Sequence, residues 1–237
     1  TDEVIDQIDA LAELAPVHNH PHALALRACK AVIPAGTPQV VVFDTAFHST
    51  MPRKAYLYGL PYECYTDLHV RKYGFHGTSH RFVSGELARV MGKPIEELKI
   101  VSCHLGNGSS ITAINGGKSV DTSMGFTPLD GLVMGTRCGS IDPATVCYLQ
   151  REGGYTFDEV DEMMNKKSGL LAVTGGKTND CRNVEELAAA GDPEAQLAFD
   201  MFVYKIAAKA AEMATSMCGM DTLVFTAGIG EHAPAVR

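Results

Sequence analysis

The sequence predicts an α/β protein with a mixed β-sheet, and three observations support this fold class. The 237 residues are 46% hydrophobic and 20% charged, which is typical of a folded globular chain. Short antiparallel hairpins follow one another in the middle of the chain. Strands also alternate with helices, and this combination favours a sheet with both parallel and antiparallel pairs.

The N-terminal part is predicted to contain two helices and one strand. Apolar residues recur at helical spacing over residues 4–14, and a second helix is predicted over residues 23–32. A proline follows each of these segments. The Val-rich residues 39–43 predict a short buried strand with Asp44 at its carboxyl end. Residues 55–65 are rich in Tyr and are expected to be extended or irregular.

The middle of the chain is predicted to form a helix and then three strands. Ser79 is expected to cap a helix over residues 80–91 that stops at Gly92. Glycine-containing turns separate the strands and indicate hairpins. The strands are predicted at residues 99–104, 110–114 and 118–123.

The C-terminal half is predicted to hold two helices and a last strand. Thr156 and Glu159 form a capping box for a helix that ends near residue 167. Asp192 precedes a proline and starts a long apolar helix that reaches about residue 218. The strand at residues 221–226 leads into a glycine-rich turn. The glycine-rich residues 125–143 are expected to be irregular.

Composition argues against several classes of protein. The net charge of −8 is the wrong sign for a nucleic-acid binder. The seven cysteines are irregularly spaced, as expected of reduced thiols. No apolar run approaches the ~20 residues of a membrane helix, and no leader is seen, so we expect a cytoplasmic protein without a membrane partner. Because the chain begins at Thr1 and ends just after a glycine-rich loop, we expect a piece of a longer protein.

Three glycine-rich turns follow apolar strands, at residues 104–108, 135–139 and 228–230. Glycine allows backbone N–H groups to approach a phosphate closely. Each turn alone is more often a plain hairpin or loop. None fits the P-loop or the Rossmann fingerprint, so only a less common nucleotide fold is left open.

Four polar residues near these turns have both a structural and a chemical interpretation. Arg137 either bonds to backbone carbonyls or clamps a transferring phosphoryl group. His76 and His80 are either structural hydrogen-bonding groups or donors to a developing phosphoryl charge. Asp44 is either a cap or an active-site carboxylate, since a buried carboxylate needs a partner.

Two other chemistries are argued against. His18, His20 and His22 alternate, but no Cys or carboxylate completes a metal site, so no protein metal site is predicted. The segment at residues 106–110 is not a G-x-S-x-G elbow, and nothing else marks an activated serine.

Taken together, five segments in one order resemble the acetate kinase family, and the resemblance covers essentially the whole chain. The set is far more specific than any single motif. The segments are Val42 to His48, Arg71 to His80, Cys103 to Ser110, Met134 to Pro143 and Phe225 to Glu231.

The resemblance implies the actin, Hsp70 and sugar-kinase fold, in which two ribonuclease H-like α/β domains close over a nucleotide. Residues 1–46 would be the C-terminal remnant of the first domain. Residues 47–237 would be most of the second, nucleotide-binding domain. The family also pairs through its second domain, so a homodimer is implied.

The reaction implied by the resemblance is the reversible, Mg²⁺-dependent phosphorylation of acetate by ATP to acetyl phosphate and ADP. Asp44 would be the catalytic carboxylate, and His76 and Arg137 would stabilise the phosphoryl transition state. His18 would lie near the acyl pocket. The nucleotide-binding residues implied are His104, Leu105, Gly106, Asn107, Gly108, Asp180, Cys181, Arg182, Gly228, Ile229, Gly230, Glu231 and His232.

The role of Asp44 can be narrowed by chemistry. Acetate has a carboxyl pKa like that of Glu, about 4.3, so it is ionised at neutral pH and needs no general base. We hypothesise that Asp44 holds Mg²⁺, a water molecule or Arg137 in place.

Two missing segments and one smaller substitution depart from the family pattern and leave alternatives open. The family's first phosphate turn, Asn-x-Gly-Ser-Ser-Ser, its substrate Arg and its terminal metal-side Glu are not in this sequence, and His232 stands where many members have Asn. The chain alone could therefore be a non-catalytic nucleotide-binding or dimerising fragment. A propionate or butyrate kinase is the nearest enzymatic variant.

Overall fold

The computed structural model describes residues 1–11, 16–34 and 36–237, without the side chains of residues 16–18. Contacts group the chain into two compact units, Thr1–Val42 and Phe43–Arg237. The division of the chain at residue 46 into parts of two domains stays a prediction.

The first unit is a pair of helices, α1 (Asp2–Ala10) and α2 (Pro16–Val32). Arg27 of α2 donates to Asp6 and Asp9 of α1 at 2.9 and 2.8 Å. Helix α2 begins at Pro16, earlier than the predicted start at residue 23. Pro21 lies inside it, and the single N–H donor that this proline lacks does not end the helix here. Helix α1 ends before residue 14, and residues 12–15 lie outside the described part of the chain.

The predicted strand at residues 39–43 is wrong. These residues have no regular secondary structure, and Val40 and Val42 are 84% and 69% exposed. A strand needs a neighbouring strand for its ladder of hydrogen bonds. Within the described ranges no strand pairs with this segment, so it forms no strand despite its high β-propensity.

The second unit is built on a four-stranded mixed sheet, as predicted. Strands β1 (Lys99–Leu105), β2 (Ser109–Asn115) and β3 (Lys118–Thr122) form antiparallel hairpins, and β4 (Thr222–Thr226) pairs in parallel with β1. The sheet order is β3-β2-β1-β4. The second hairpin turn requires glycine, because Gly116 and Gly117 both have positive φ, 58° and 76°.

Helices cover both faces of the sheet. The capping box of α7 and the Asp192 cap of α10 are confirmed, and Gly92 ends α5 in the left-handed conformation as predicted. The helices of this unit are α3 (Arg53–Tyr56), α4 (Tyr62–Thr66), α5 (Gly77–Met91), α6 (Ala144–Arg151), α7 (Phe157–Lys166), α8 (Gly169–Val173), α9 (Cys181–Ala189), α10 (Pro193–Ser216) and α11 (Ala227–His232), with 3-10 turns at Ala46–Thr50, Ile95–Glu97 and Pro234–Val236.

Three boundaries differ from the sequence predictions. Helix α5 begins at Gly77 and is capped by His76, not by Ser79, because the chain turns sharply at His76 (φ 56°). Residues 55–65 contain parts of the short helices α3 and α4 rather than extended chain. Residues 227–231 belong to helix α11 instead of an open turn, since the chain turns into a helix directly at the end of β4.

The two faces of strand β1 serve different cores, because successive side chains of a strand point to opposite sides. Val101, Cys103 and Leu105 belong to the large core that contains residues of α10. Ile100 belongs to a smaller core with Ala88 of α5. The next residues on that α5 side of β1 are Ser102 and His104, so this face becomes polar toward the carboxyl end of the strand.

Gly169, the first residue of α8, supports the loop that carries Arg137. It has φ 66°, and an added Cβ would overlap the carbonyl oxygen of Met134 and lie 2.9 Å from that of Arg137. Gly154 has a similar φ of 71°, but an added Cβ there would meet nothing within 4 Å.

We therefore predict that Gly169→Ala costs about 3 kcal/mol or more in the free energy of unfolding, because it adds a backbone clash to the left-handed strain. Gly154→Ala, which carries the strain alone, should cost roughly 1–2 kcal/mol. Denaturant unfolding of both variants checks this. Equal losses would show that the loop yields freely to the added methyl group.

Candidate active site

The carboxyl ends of two parallel strands meet at one edge of the sheet. His104 of β1 lies opposite Thr226 of β4. Beyond them, an added Cβ on Gly106 would lie 3.8 Å from the Cβ of Ala227. The glycine turn after β1 and the start of α11 are therefore neighbours, at the edge where α/β sheets usually bind ligands.

Arg137 and His76 both lie beside Gly108. An added Cβ on Gly108 would lie 3.2 Å from Nη1 of Arg137 and 3.8 Å from Nε2 of His76. The structure thus brings together two side chains that are 61 residues apart (137 − 76) on the glycine turn between β1 and β2.

The loop that carries Arg137 is fixed to this turn by backbone contacts. The N–H of Gly135 donates to the carbonyl of Asn107 at 3.1 Å. An added Cβ on Gly135 would overlap Oδ1 of Asn107 and lie 3.1 Å from the carbonyl oxygen of Asn179. Only glycine permits so close an approach. Through Gly135, the loops at residues 106–108, 135–139 and 178–182 come into contact.

The guanidinium of Arg137 is only partly satisfied by the protein. Nη1 donates to the carbonyl of Pro128 at 3.1 Å and contacts the sulfur of Met134 at 3.7 Å. A guanidinium has five N–H donors, and among the described residues no other acceptor binds it. Burial lowers the pKa of Arg137 from its ordinary value. The remaining donors are available to an anion beside Gly108.

Asp44 holds the backbone at His76. Its Oδ2 accepts from the N–H of His76 at 2.7 Å, and its carbonyl accepts from the N–H of Gly77 at 2.9 Å. An added Cβ on Gly77 would overlap that carbonyl oxygen. These bonds stabilise the left-handed conformation of His76, which non-glycine residues rarely adopt. In the described part of the chain Asp44 makes no contact with Arg137.

The ring of His76 is held between a serine and a second imidazole. Its Nδ1 lies 2.8 Å from Oγ of Ser110, and the ring stacks on that of His104 with centroids 4.0 Å apart. Burial, with smaller contributions from the neighbouring His104 and Arg137, lowers the pKa of His76 to about 4, although the nearby Asp44 acts in the opposite direction. His76 is therefore a neutral hydrogen-bonding group at neutral pH.

His104 faces the same turn. Its Nδ1 lies 2.8 Å from Oγ of Ser79, and its Nε2 is 4.0 Å from the position of an added Cβ on Gly106. Burial lowers the pKa of His104 as well.

Two further histidines complete a buried group, and sequence reasoning assigned no role to His48. His48 donates from Nε2 to the carbonyl of Phe75 at 2.8 Å, while its Nδ1 contacts Ser119 at 2.9 Å. His80 contacts Ser102 and Ser110. His48 and His80 are fully buried, and burial lowers the pKa of each. Their serine partners are distant in sequence, so no local signal could have identified them.

Four of the predicted nucleotide-binding residues have side chains that are already engaged or buried. The Asp180 carboxylate caps α9 and pairs with Arg182 at 2.6 Å, so both side chains are already engaged. Leu105 and Cys181 are buried in the large core, which leaves them backbone groups at most for a ligand. Burial raises the pKa of the Cys181 thiol to about 12, so the thiol is unreactive.

The predicted residues 228–232 all lie in helix α11. Gly230 is buried, Gly228, Glu231 and His232 are exposed, and Ile229 is half-buried. Oε1 of Glu231 accepts from Thr226 at 3.3 Å. The side chain of His18 lies outside the described part of the chain.

The described residues contain no group of three or more His, Cys, Asp or Glu placed to hold a metal ion. In the same part of the chain no helix is both long and apolar enough to cross a membrane.

The low pKa of His76 predicts a loss of stability in mild acid. The unfolded chain has an ordinary histidine pKa of about 6.5 and binds a proton that the folded site rejects, so stability falls as the pH falls below that value. From pH 7 to pH 5 we expect His76 alone to lower the free energy of unfolding by about 2 kcal/mol.

His76→Asn should shrink the difference in unfolding free energy between pH 7 and pH 5 by that amount, because Asn tolerates the left-handed conformation and does not titrate. Urea unfolding at both values of pH measures the change. An unchanged difference would show that His76 is not held neutral by the fold.

The sequence is similar to a protein family and to individual proteins of known activity. The Acetokinase family matches residues 1–237. Acetate kinases from Clostridium beijerinckii and Methanosarcina thermophila are 57% and 56% identical over 238 and 225 residues, covering 100% and 95% of this chain. The same alignments cover 59% and 55% of those two relatives. The chain therefore spans about 59% of the length of the first of them.

Solved structures agree. An acetate kinase from Porphyromonas gingivalis matches with a TM-score of 0.95 at 42% identity, over 100% of this chain and 59% of that one. A propionate kinase from Francisella tularensis matches with a TM-score of 0.94 at 46% identity, over 100% and 60%. These neighbours and the mixed sheet confirm the predicted actin/Hsp70/sugar-kinase-like fold. Because the family match extends over every residue, this chain belongs to the acetokinase family.

Proposed function

We propose that this chain carries the phosphoryl-transfer side of an acetate kinase, which converts ATP and acetate reversibly to ADP and acetyl phosphate. The observation that carries the proposal is the convergence of Arg137 and His76 on the glycine turn at Gly108. The names of the relatives support the reaction class. One structural neighbour is a propionate kinase, so propionate or butyrate stays an alternative acceptor.

The reaction needs positioning and charge stabilisation more than proton transfer. A carboxylate oxygen of the acceptor attacks the γ-phosphorus, the bond from that phosphorus to the bridging oxygen breaks, and ADP leaves. Charge in such a transition state lies largely on the equatorial phosphoryl oxygens. The free N–H groups of Arg137 and the Nε2 side of His76 would donate to them. No proton has to move, because the acceptor is already ionised.

The metal would arrive with the nucleotide. Mg²⁺ keeps water and phosphate oxygens as ligands and often takes few from the protein. When bound, Mg²⁺ would neutralise phosphate charge. Asp44 would act through the backbone of His76, because its carboxylate accepts a hydrogen bond from the N–H of His76.

The remaining assignments are part of the same proposal. Residues 180–182 and 228–232 would lie on the nucleoside side, with backbone groups of residues 104–108 on the phosphates. His18 would belong to the acyl side. A homodimer is proposed on the family resemblance, and a cytoplasmic location on the irregularly spaced cysteines, which are typical of reduced thiols.

A second candidate is a nucleotide-binding or dimerising piece that does not catalyse by itself. The exposed apolar residues at 40–43 favour it, because such a run is usually covered in a complete domain. The chain also spans only part of its relatives.

One assay separates the two candidates. The chain is incubated with ATP, Mg²⁺ and acetate, and acyl phosphate is trapped with hydroxylamine. Acetate-dependent product supports the kinase. Mg²⁺-ATP binding without product supports the nucleotide-binding form of the second candidate. Neither binding nor product would contradict that form and the kinase alike, and would leave a dimerising piece.

Arg137→Lys is predicted to lower kcat/KM by about 10²–10³-fold, because a single ammonium cannot reproduce the planar donor set that faces the transferring group. His76→Asn should cost a similar factor, since it keeps the backbone conformation but removes Nε2. The trapping assay at varied acetate measures both changes.

Arg89→Lys is the matched control, because Arg89 is exposed and its one ion pair among the described residues is with Glu86, one turn earlier in the same helix. It should leave kcat/KM unchanged. Near-normal activity of Arg137→Lys would remove the guanidinium from the reaction.

A further inference from the structure

One serine hydroxyl joins two imidazoles in the interior beside the site. Oγ of Ser110 lies 2.8 Å from Nδ1 of His76 and 2.8 Å from Nε2 of His80. The other nitrogen of His80, Nδ1, lies 2.9 Å from Oγ of Ser102. The four side chains therefore form a continuous chain of hydrogen bonds, and His76 is the one member of it that is not fully buried.

When both imidazoles are neutral, each has one N–H and one acceptor nitrogen, and two proton orders make Ser110 both a donor and an acceptor. A third order, in which Ser110 accepts from both rings, leaves its own buried hydroxyl proton without an acceptor among the described residues and is disfavoured for that reason. In the first order, Ser102 donates to His80, His80 donates from Nε2 to Ser110, and Ser110 donates to Nδ1 of His76. His76 then carries its own proton on Nε2. In the second order every donor is reversed, and Nε2 of His76 is a bare acceptor.

The burial of Ser102 distinguishes the two orders. Ser102 is completely buried, and its hydroxyl bonds only to His80 within the described residues. In the first order the hydroxyl proton of Ser102 points at Nδ1 of His80. In the second order Ser102 must accept from His80, and its own proton has no acceptor. Buried donors without partners are rare in folded proteins, so the first order is favoured.

His48 provides an internal comparison. Its Nε2 contacts the carbonyl of Phe75, which can only accept, so this histidine must carry its proton on Nε2. Its Nδ1 then accepts from the hydroxyl of Ser119. The same protein thus pairs a buried serine donor with a histidine that is protonated on Nε2.

We propose that the chain Ser102–His80–Ser110 locks His76 in the tautomer that carries the proton on Nε2. His80, Ser110 and Ser102 are then positioning residues that act through His76. The consequence for catalysis rests on the proposed function: a neutral His76 with this tautomer presents an N–H to phosphoryl oxygens beside Gly108, whereas the other tautomer would present a lone pair to them.

The tautomer can be read directly, without activity. Long-range ¹H–¹⁵N NMR on the whole chain with labelled histidine, at pH 7, distinguishes the protonated from the bare ring nitrogen. We expect a protonated Nε2 and a bare Nδ1 in both His76 and His80. A proton on Nδ1 of either ring would overturn the proposal.

Kinetics give a separate readout. Ser110→Ala should lower kcat by roughly 10–100-fold with little change in KM for ATP, as for other groups that orient a functional histidine. Ser110→Thr, which keeps the hydroxyl, should restore most of it. If the unmodified chain forms no acyl phosphate, the proposed function fails while the NMR result still decides the tautomer. Full activity in Ser110→Ala would overturn the positioning role.

Discussion

The pairing of strand β1 with β2 on one side and with β4 on the other is the constraint on which the site depends. The parallel partner brings the ends of β1 and β4 to one edge. The antiparallel partner returns directly through the glycine turn at residues 106–108. The two-residue period of β1 then places Ser102 and His104 on the side of α5, where His80 and Ser79 meet them. A shift of one residue would send these polar groups into the large core.

Hydrogen bonding and close backbone approach build this site more than charge does. Four imidazoles lie in it, and burial lowers the pKa of each, so they stay neutral and do not repel one another. Arg137 is the cation beside the turn, and the protein satisfies its guanidinium only in part. Fixed donors in a water-poor site stabilise charge well because they need no reorganisation. Serine hydroxyls and the carboxylate of Asp44 supply that fixation.

Local signals predicted much of the fold and named the main side chains. The hairpins, the capping box at Thr156 and the helix start at Asp192 each depend on neighbours within a few residues, and all three were found. The strand at residues 39–43 was mistaken because pairing is not a local property. The serine–histidine contacts join residues 22 to 71 positions apart, so no spacing rule could have paired them. The resemblance located Arg137 and His76, but only the structure shows that both lie beside Gly108.

The central claim is that phosphates bind at the turn between β1 and β2, between Arg137 and His76. The most direct test follows the backbone amide NMR signals of Gly106 and Gly108 while the chain is titrated with Mg²⁺-ATP and, separately, with adenosine. ATP should shift both signals, and adenosine, which has no phosphate, should leave them in place. Shifts of equal size with adenosine, or none with ATP at a concentration that saturates binding, would show that the phosphates do not bind at this turn.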